Sequence, residues 1–211
     1  MKIALLTLVI LLQGCSGDFS YIRPDVPNAL GTNHKAVNNP RAAVWTNAIP
    51  NIGKKFFVIN NLDKESGLIN VSYNGNPEDY IDCGNIVTSG THIRKQTVPI
   101  AKHQQGYGFQ TSSSINFVNR KMALEGRANI ILEELSNNQT LITANVRYIL
   151  HRQQTTATET FFPKQVWKHT ESDSIAFNSG GNGGFPQGIE GVPFECYATG
   201  RLEQEILSSF N

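Results

Sequence analysis

Two alternating runs near the middle of the chain constrain its fold more than any other feature. Met122, Leu124, Ala128, Ile130 and Leu132 alternate with Glu125, Arg127 and Glu133. After Ser136-Asn137-Asn138-Gln139 the pattern resumes, with Ile142, Ala144, Val146, Tyr148 and Leu150 set against Thr143, Asn145, Arg147 and His151. Successive side chains of a strand point to opposite faces, so a period of two predicts two long strands joined by a turn. Strands of this kind pair antiparallel, with one apolar face and one wet face.

The flanking sequence predicts helices at both ends of such a sheet. Asn39 suits a helix cap and Pro40 the first helical position. Val44, Ala48 and Ile52 then recur at i, i+4 and i+8, Trp45 and Ile49 widen the stripe, and Gly53 closes it, with Pro50 kinking or shortening the last turn. Residues 56–62 and 68–73 read as a hairpin around Asp63-Lys64-Glu65-Ser66-Gly67. Residues 74–121, punctuated by Asn74-Gly75-Asn76-Pro77 and Gly106-Tyr107-Gly108, read as irregular loops with one or two strands. A further strand falls within 155–167, interrupted by Pro163 and so suited to a sheet edge. Glycines 180, 181, 183 and 184 predict a flexible loop, and Leu202, Ile206 and Phe210 mark a last helix over 199–210. The expected fold class is α+β: a single domain over 40–211, an antiparallel sheet with an N-terminal and a C-terminal helix packed on one face.

The N-terminus reads as an address. Met1-Lys2 precedes an apolar run over residues 3–12, then Leu12-Gln13-Gly14-Cys15 and polar Ser16-Gly17-Asp18. A charged start, a short apolar stretch and a small residue before the cut form a secretory signal; the run is well short of the roughly 20 residues a spanning helix needs. The pattern resembles the lipobox of bacterial lipoproteins, which implies removal of residues 1–14 and a lipid (palmitate-type) anchor on Cys15. Ser16 rather than Asp after that cysteine implies, by the same resemblance, the inner leaflet of the outer membrane, facing the periplasm. Residues 15–39, rich in turn formers and without period, are expected to form an extended tether.

With Cys15 assigned to lipid, Cys83 and Cys196 remain, and an exported pair is expected to form a disulfide. Closing a loop of that length is worth roughly 4 to 5 kcal/mol in the chain-entropy treatment. The chain has 18 basic and 17 acidic side chains; removing Lys2 with the signal leaves 17 of each, and no basic run points to nucleic acid. Two sulfurs without CxxC spacing and the scattered His34, His92, His103, His151 and His169 do not make a zinc site.

Catalytic signatures are missing from the sequence: there is no GxSxG elbow, P-loop, HExxH or GxGxxG after a strand. Asp79 and Asp82, in Pro77-Glu78-Asp79-Tyr80-Ile81-Asp82-Cys83-Gly84, read as a turn that presents Cys83 while their carboxylates cap backbone amides; a carboxylate pair is the catalytic alternative. Tyr107, Phe109, Phe161, Phe162 and Trp167 suit core packing, or else a groove for a peptide or lipid. No enzyme activity and no cofactor are expected.

The helix and hairpin together, Ala43-Val44-Trp45-Thr46 through Phe56-Phe57 and the Asp63 to Gly67 turn to Tyr73, resemble the BamC (NlpB) lipoproteins. The resemblance covers about residues 40–73 and implies a helix-grip domain, an outer-membrane location and a partner in the barrel-assembly machinery. The function expected is that of a non-enzymatic, lipid-anchored envelope protein that binds another envelope protein. Two alternatives are a carrier holding an apolar ligand between sheet and helix, and a periplasmic hydrolase.

Overall fold

The computed structural model describes residues 19–25, 32–186, 188 and 191–210. The signal, Cys15 and its lipid site lie outside the described residues. In chain order the elements are β1 (Phe19–Ile22), β2 (His34–Val37), α1 (Arg41–Gly53), β3 (Val58–Asp63), β4 (Leu68–Gly75), β5 (Ile81–Asp82), β6 (Asn85–Gly90) and β7 (Ile93–Pro99). They continue with β8 (Gln104–Gln110), β9 (Ser114–Ser136), β10 (Gln139–Thr160), β11 (Val166–Asn178), β12 (Asn182–Gly184), β13 (Glu195–Ala198) and α2 (Arg201–Leu207).

A single ribbon organises the molecule. β9 and β10, of 23 and 22 residues, pair antiparallel from Ser136↔Gln139 to Ser114↔Thr160. Each outer edge of the ribbon is shared by two shorter strands. β8 lies along β9 from Ile115 to Lys121 and β4 from Leu124 to Ile131, while β2 lies along β10 from Thr140 to Thr143 and β11 from Arg147 to Glu159. β3 extends the sheet beyond β4 to make seven strands. From Ser114 to Leu132 and from Thr140 to Gln154, even-numbered residues point inward and are buried. The odd-numbered ones form an outer face of exposed and half-buried side chains. Two three-stranded sheets, β1-β6-β7 and β12-β13-β5, complete the described strands.

The α+β expectation, one sheet with a helix from each end laid on one face, is overturned. The protein is mostly β, with three sheets and helices of only 13 and 7 residues. Strands β5 to β8 fill the region read as irregular, and β9 begins eight residues before its apolar alternation does. Of its first four inward positions three, Ser114, Asn116 and Arg120, are buried and polar, and only Val118 is apolar. A sequence rule that seeks apolar residues every second position passes over such a segment. Two pieces of the stretch read as a spacer are also strands: β1 pairs β6, and β2 pairs β10.

The local readings that rested on strong periodicity hold. α1 buries Val44, Trp45, Ala48 and Ile52 and runs through Pro50, starting one residue later than the sequence suggested because Pro40 is its N-cap. The β3–β4 hairpin turns at Gly67, whose φ of 69° places it in the left-handed region. A Cβ there would also meet the Leu132 carbonyl oxygen at 2.6 Å, so only glycine fits. α2 buries Leu202 and Ile206, and Phe210 follows it into the core.

Candidate functional site

Cys83 and Cys196 are joined in a disulfide and both are fully buried. Cys83 follows β5 and Cys196 sits in β13, whose Tyr197 and Ala198 pair with Asp82 and Ile81. The covalent link therefore reinforces a short sheet just ahead of α2. The Asp82 carboxylate accepts the Gly84 backbone N–H at 2.8 Å, an Asx turn beside the cysteine. Asp79 instead accepts from the Arg201 guanidinium at 3.2 Å, an exposed pair. Both acids line an open cleft of about 430 Å³ with Glu78, Lys102 and Arg201. Two bases against three acids leave this cleft a solvated, mixed-charge surface.

The histidines stay apart. His103 places Nδ1 2.8 Å from the Met122 carbonyl oxygen and its backbone N–H donates to Glu78 at 3.0 Å, which makes it a strand-end fastening. His151 lies on the outer face, 4.0 Å from Glu125; His92 and His169 are exposed. Among the described residues no three of His, Cys, Asp and Glu converge on a point that could hold a metal.

What sequence reasoning missed is a buried polar seam along the inner face of the ribbon. Arg152 on β10 is buried, with Nε donating to Asp173 Oδ1 at 2.8 Å and Nη2 to Asp173 Oδ2 at 2.6 Å. Its Nη1 donates to the Gly188 carbonyl, Glu171 lies at 3.7 Å, and its guanidinium stacks 4.7 Å from the Phe185 ring centroid. Every charged atom of this arginine thus has a partner, the condition under which a cation can be buried. Arg120, diagonally placed on β9, is fully buried, donates to the Pro99 carbonyl at 3.1 Å and lies over the Tyr107 ring. Burial, more than any neighbour, pulls the pKa of that guanidinium down. Nearer α2, the Tyr148 hydroxyl donates to Glu203 at 2.5 Å, a second buried polar pair. The signal was present in the strand period, which places 120, 148 and 152 on the same face as Leu124 and Leu150.

The glycine run is packed rather than loose. Asn182–Gly184 is strand β12, paired with β13, and a Cβ on Gly183 would come within 2.9 Å of the Phe177 ring. Glycine serves here to let Phe177 and Ile175 lie flat against the backbone. The five aromatics divide. Tyr107 and Phe109 are core, whereas Phe161, half-buried, and Phe162, exposed, sit in the turn between β10 and β11, and Trp167 is exposed at the start of β11. Pro163 lies in that turn, after a cis Phe162–Pro163 bond, and β11 beyond it is the sheet edge.

The interface between helices and sheet is filled: Val44, Ala48, Ile52, Ile130, Ile142, Ala144 and Leu202 are all buried to within 1 %. The chain matches no family model, no curated protein and no solved structure.

Proposed function

We propose that the protein is a lipid-anchored component of a bacterial envelope that acts by binding another envelope protein, without chemistry of its own. The observation that carries this reading is the outer face of the ribbon, which is left open among the described residues. Over most of its length β9–β10 has helices or small sheets on its inner side, while the outer side presents Asn129, Arg127, Asn145, Arg147, His151 and Thr155 in register across both strands. A broad, rigid face of hydrogen-bonding side chains around half-buried Ile131, Leu141 and Ile149 has the mixed character of a non-obligate protein interface. The Cys15 signal supports the envelope address, and the likeness of residues 40–73 to the BamC lipoproteins adds the outer membrane as the expected location. The filled helix–sheet interface speaks for docking over carriage, since a carrier needs an apolar cavity of roughly 300 Å³ or more.

Photo-crosslinking residues placed in living cells at Asn129, Arg147 and His151 test this. A single crosslinked protein shared by all three positions, and not captured from Lys54 beyond the end of α1, is the expected result. No adduct from any of the three would sink the proposal.

A further inference from the structure

The end of the ribbon where β10 turns into β11 carries apolar side chains that nothing in the described structure covers. Phe162 is 97 % exposed, Val166 65 %, Phe117 57 % and Trp167 47 %. Scattered exposed apolar residues are ordinary, but four large ones gathered at one end call for an occupant. The turn that holds them is firmly built. Thr160 donates its backbone N–H to the Gln165 carbonyl at 2.9 Å and its hydroxyl to the Pro163 carbonyl at 2.7 Å. Phe161 N–H donates to the Ser113 carbonyl at 2.9 Å, which ties this turn to the one between β8 and β9.

The position of β1 says what lies beyond that end. Phe19 packs edge-on against Phe109, with ring centroids 5.5 Å apart. Phe109 pairs with Asn116, Asn116 with Thr158, and Thr158 with Trp167. Three strand spacings of about 4.8 Å plus that ring contact put Phe19 about 20 Å from Trp167. Direction agrees with distance. β1 runs antiparallel to β6, from Phe19 beside Thr88 to Ile22 beside Asn85, so it is entered from the side of Gly90. A Cβ on Gly90 would meet the Gln110 side chain at 2.6 Å, and Gln110 pairs with Ile115 and Ile115 with Glu159, at the base of the same turn. Only three residues separate Cys15 from Phe19, and the four residue steps between them reach at most about 14 Å.

We infer that the β10–β11 turn, through Phe162 and through Val166 and Trp167 at the start of β11, rests in the interfacial layer of the membrane that holds the lipid on Cys15. The inference rests on the lipid-anchor reading above. Aromatic side chains flanked by lysines are the residue types that settle at a bilayer surface. Lys164 and Lys168 flank the apolar group, Arg94 and Lys95 stand exposed on nearby β7, and Glu159, the acid at the base of the turn, is bound to Lys164 at 2.9 Å. The occupant that fits is therefore an anionic phospholipid surface, and the ribbon stands up from it, with its outer face presented to the aqueous side.

The chain has two tryptophans, which makes the test direct. Trp45 lies on the buried face of α1, which follows β2 at the opposite end of the ribbon. The full-length protein extracted from membranes is reconstituted into vesicles of phosphatidylethanolamine and phosphatidylglycerol brominated along the acyl chain. Tryptophan fluorescence is expected to be quenched in the wild type and in Trp45→Phe, and to lose most of its quenching in Trp167→Phe. Phe162→Ser, at a site too exposed to affect folding, is expected to reduce quenching at Trp167 by about half or more. Quenching that is absent in the wild type, or that survives in Trp167→Phe, overturns the inference. Incorporation of an alkyne palmitate analogue, abolished by Cys15→Ser, tests the anchor separately. A labelled protein with an unquenched Trp167 would end the inference about the turn and leave the anchor standing; an unlabelled one would end the anchor whatever the fluorescence shows.

Discussion

Along the half of the ribbon that lies under the helices, inward positions include Ala128, Ile130, Leu132, Ile142 and Ala144; along the other half the polar Asn116, Arg120, Arg152 and Gln154 stand inward among the apolar Val118 and Met122. Both sets are buried, and both obey the same alternation. The difference lies in what stands opposite. α1 and α2 bring the apolar Val44, Ala48, Ile52, Leu202 and Ile206, which the strands answer with aliphatics, and one buried carboxylate, Glu203, which Tyr148 meets with its hydroxyl. The far half is met by backbone carbonyls at Pro99 and Gly188, by rings at Tyr107 and Phe185 and by carboxylates from β11, so it can bury guanidinium groups. The period of a strand states which face is buried, and the partner layer decides the chemistry that face requires.

The disulfide offers the largest perturbation of both halves together, because the loop between Cys83 and Cys196 encloses the whole ribbon. Replacing both cysteines by alanine is expected to cost about 4 kcal/mol, from the closure entropy of a loop of that length. Urea unfolding with and without the substitutions measures it, and comigration of the wild type on reducing and non-reducing gels would contradict the bond itself. If hydrogen exchange rises only in β12 and β13 while the ribbon keeps its protection, the disulfide serves the small sheet alone and the two halves are less coupled than their shared strands suggest.

The polar half breaks by loss of charge balance. Asp173→Ala leaves the buried Arg152 with Gly188, the more distant Glu171 and two rings, and is expected to cost about 3 kcal/mol, the lower end for an orphaned buried charge. Combining it with Arg152→Met removes the orphan, and the pair of changes is expected to cost about 1 kcal/mol or less, since an apolar chain can occupy the slot against Phe185 and Phe194. A double variant as unstable as Asp173→Ala would mean that the arginine contributes through its stem or its stacking, and that the seam is less electrostatic than its hydrogen bonds imply.

These contrasts explain which parts of the molecule could be read from the sequence. α1, the β3–β4 hairpin and the apolar stretch of the ribbon were legible because Val44, Ala48 and Ile52, or Ile130 and Leu132, each repeat a strong local period. The disulfide followed from a count of cysteines. The first eight residues of β9 were hidden because Asn116 and Arg120 point inward, and the glycines of β12 looked like a linker because the reason for them, Phe177 against Gly183, is a contact made through space. The aromatic turn was half legible: Phe162 and Trp167 were singled out together with Tyr107 and Phe109, and only the fold separates the pair that faces solvent from the pair in the core.

The helix-bearing half differs from the polar half in its response to base. Tyr148 is buried, and its pKa is raised far above the usual tyrosine value, first by burial and then by the Glu203 carboxylate that its hydroxyl meets. The folded protein therefore keeps this proton through the range in which the unfolded chain releases it, near pH 10. The stability tied to that proton is fully present below pH 10 and is lost as pH rises above it, at about 1.4 kcal/mol per pH unit for one retained proton. Urea unfolding at pH 9, 10 and 11 reads the slope. In Tyr148→Phe the slope between pH 10 and 11 is expected to be shallower by one proton, whatever offset the lost hydrogen bond adds at every pH. Equal slopes in the two proteins would mean that the phenol ionises in the folded state as it does in the unfolded one, and the buried pair under α2 would then be as open to water as the outer face of the ribbon.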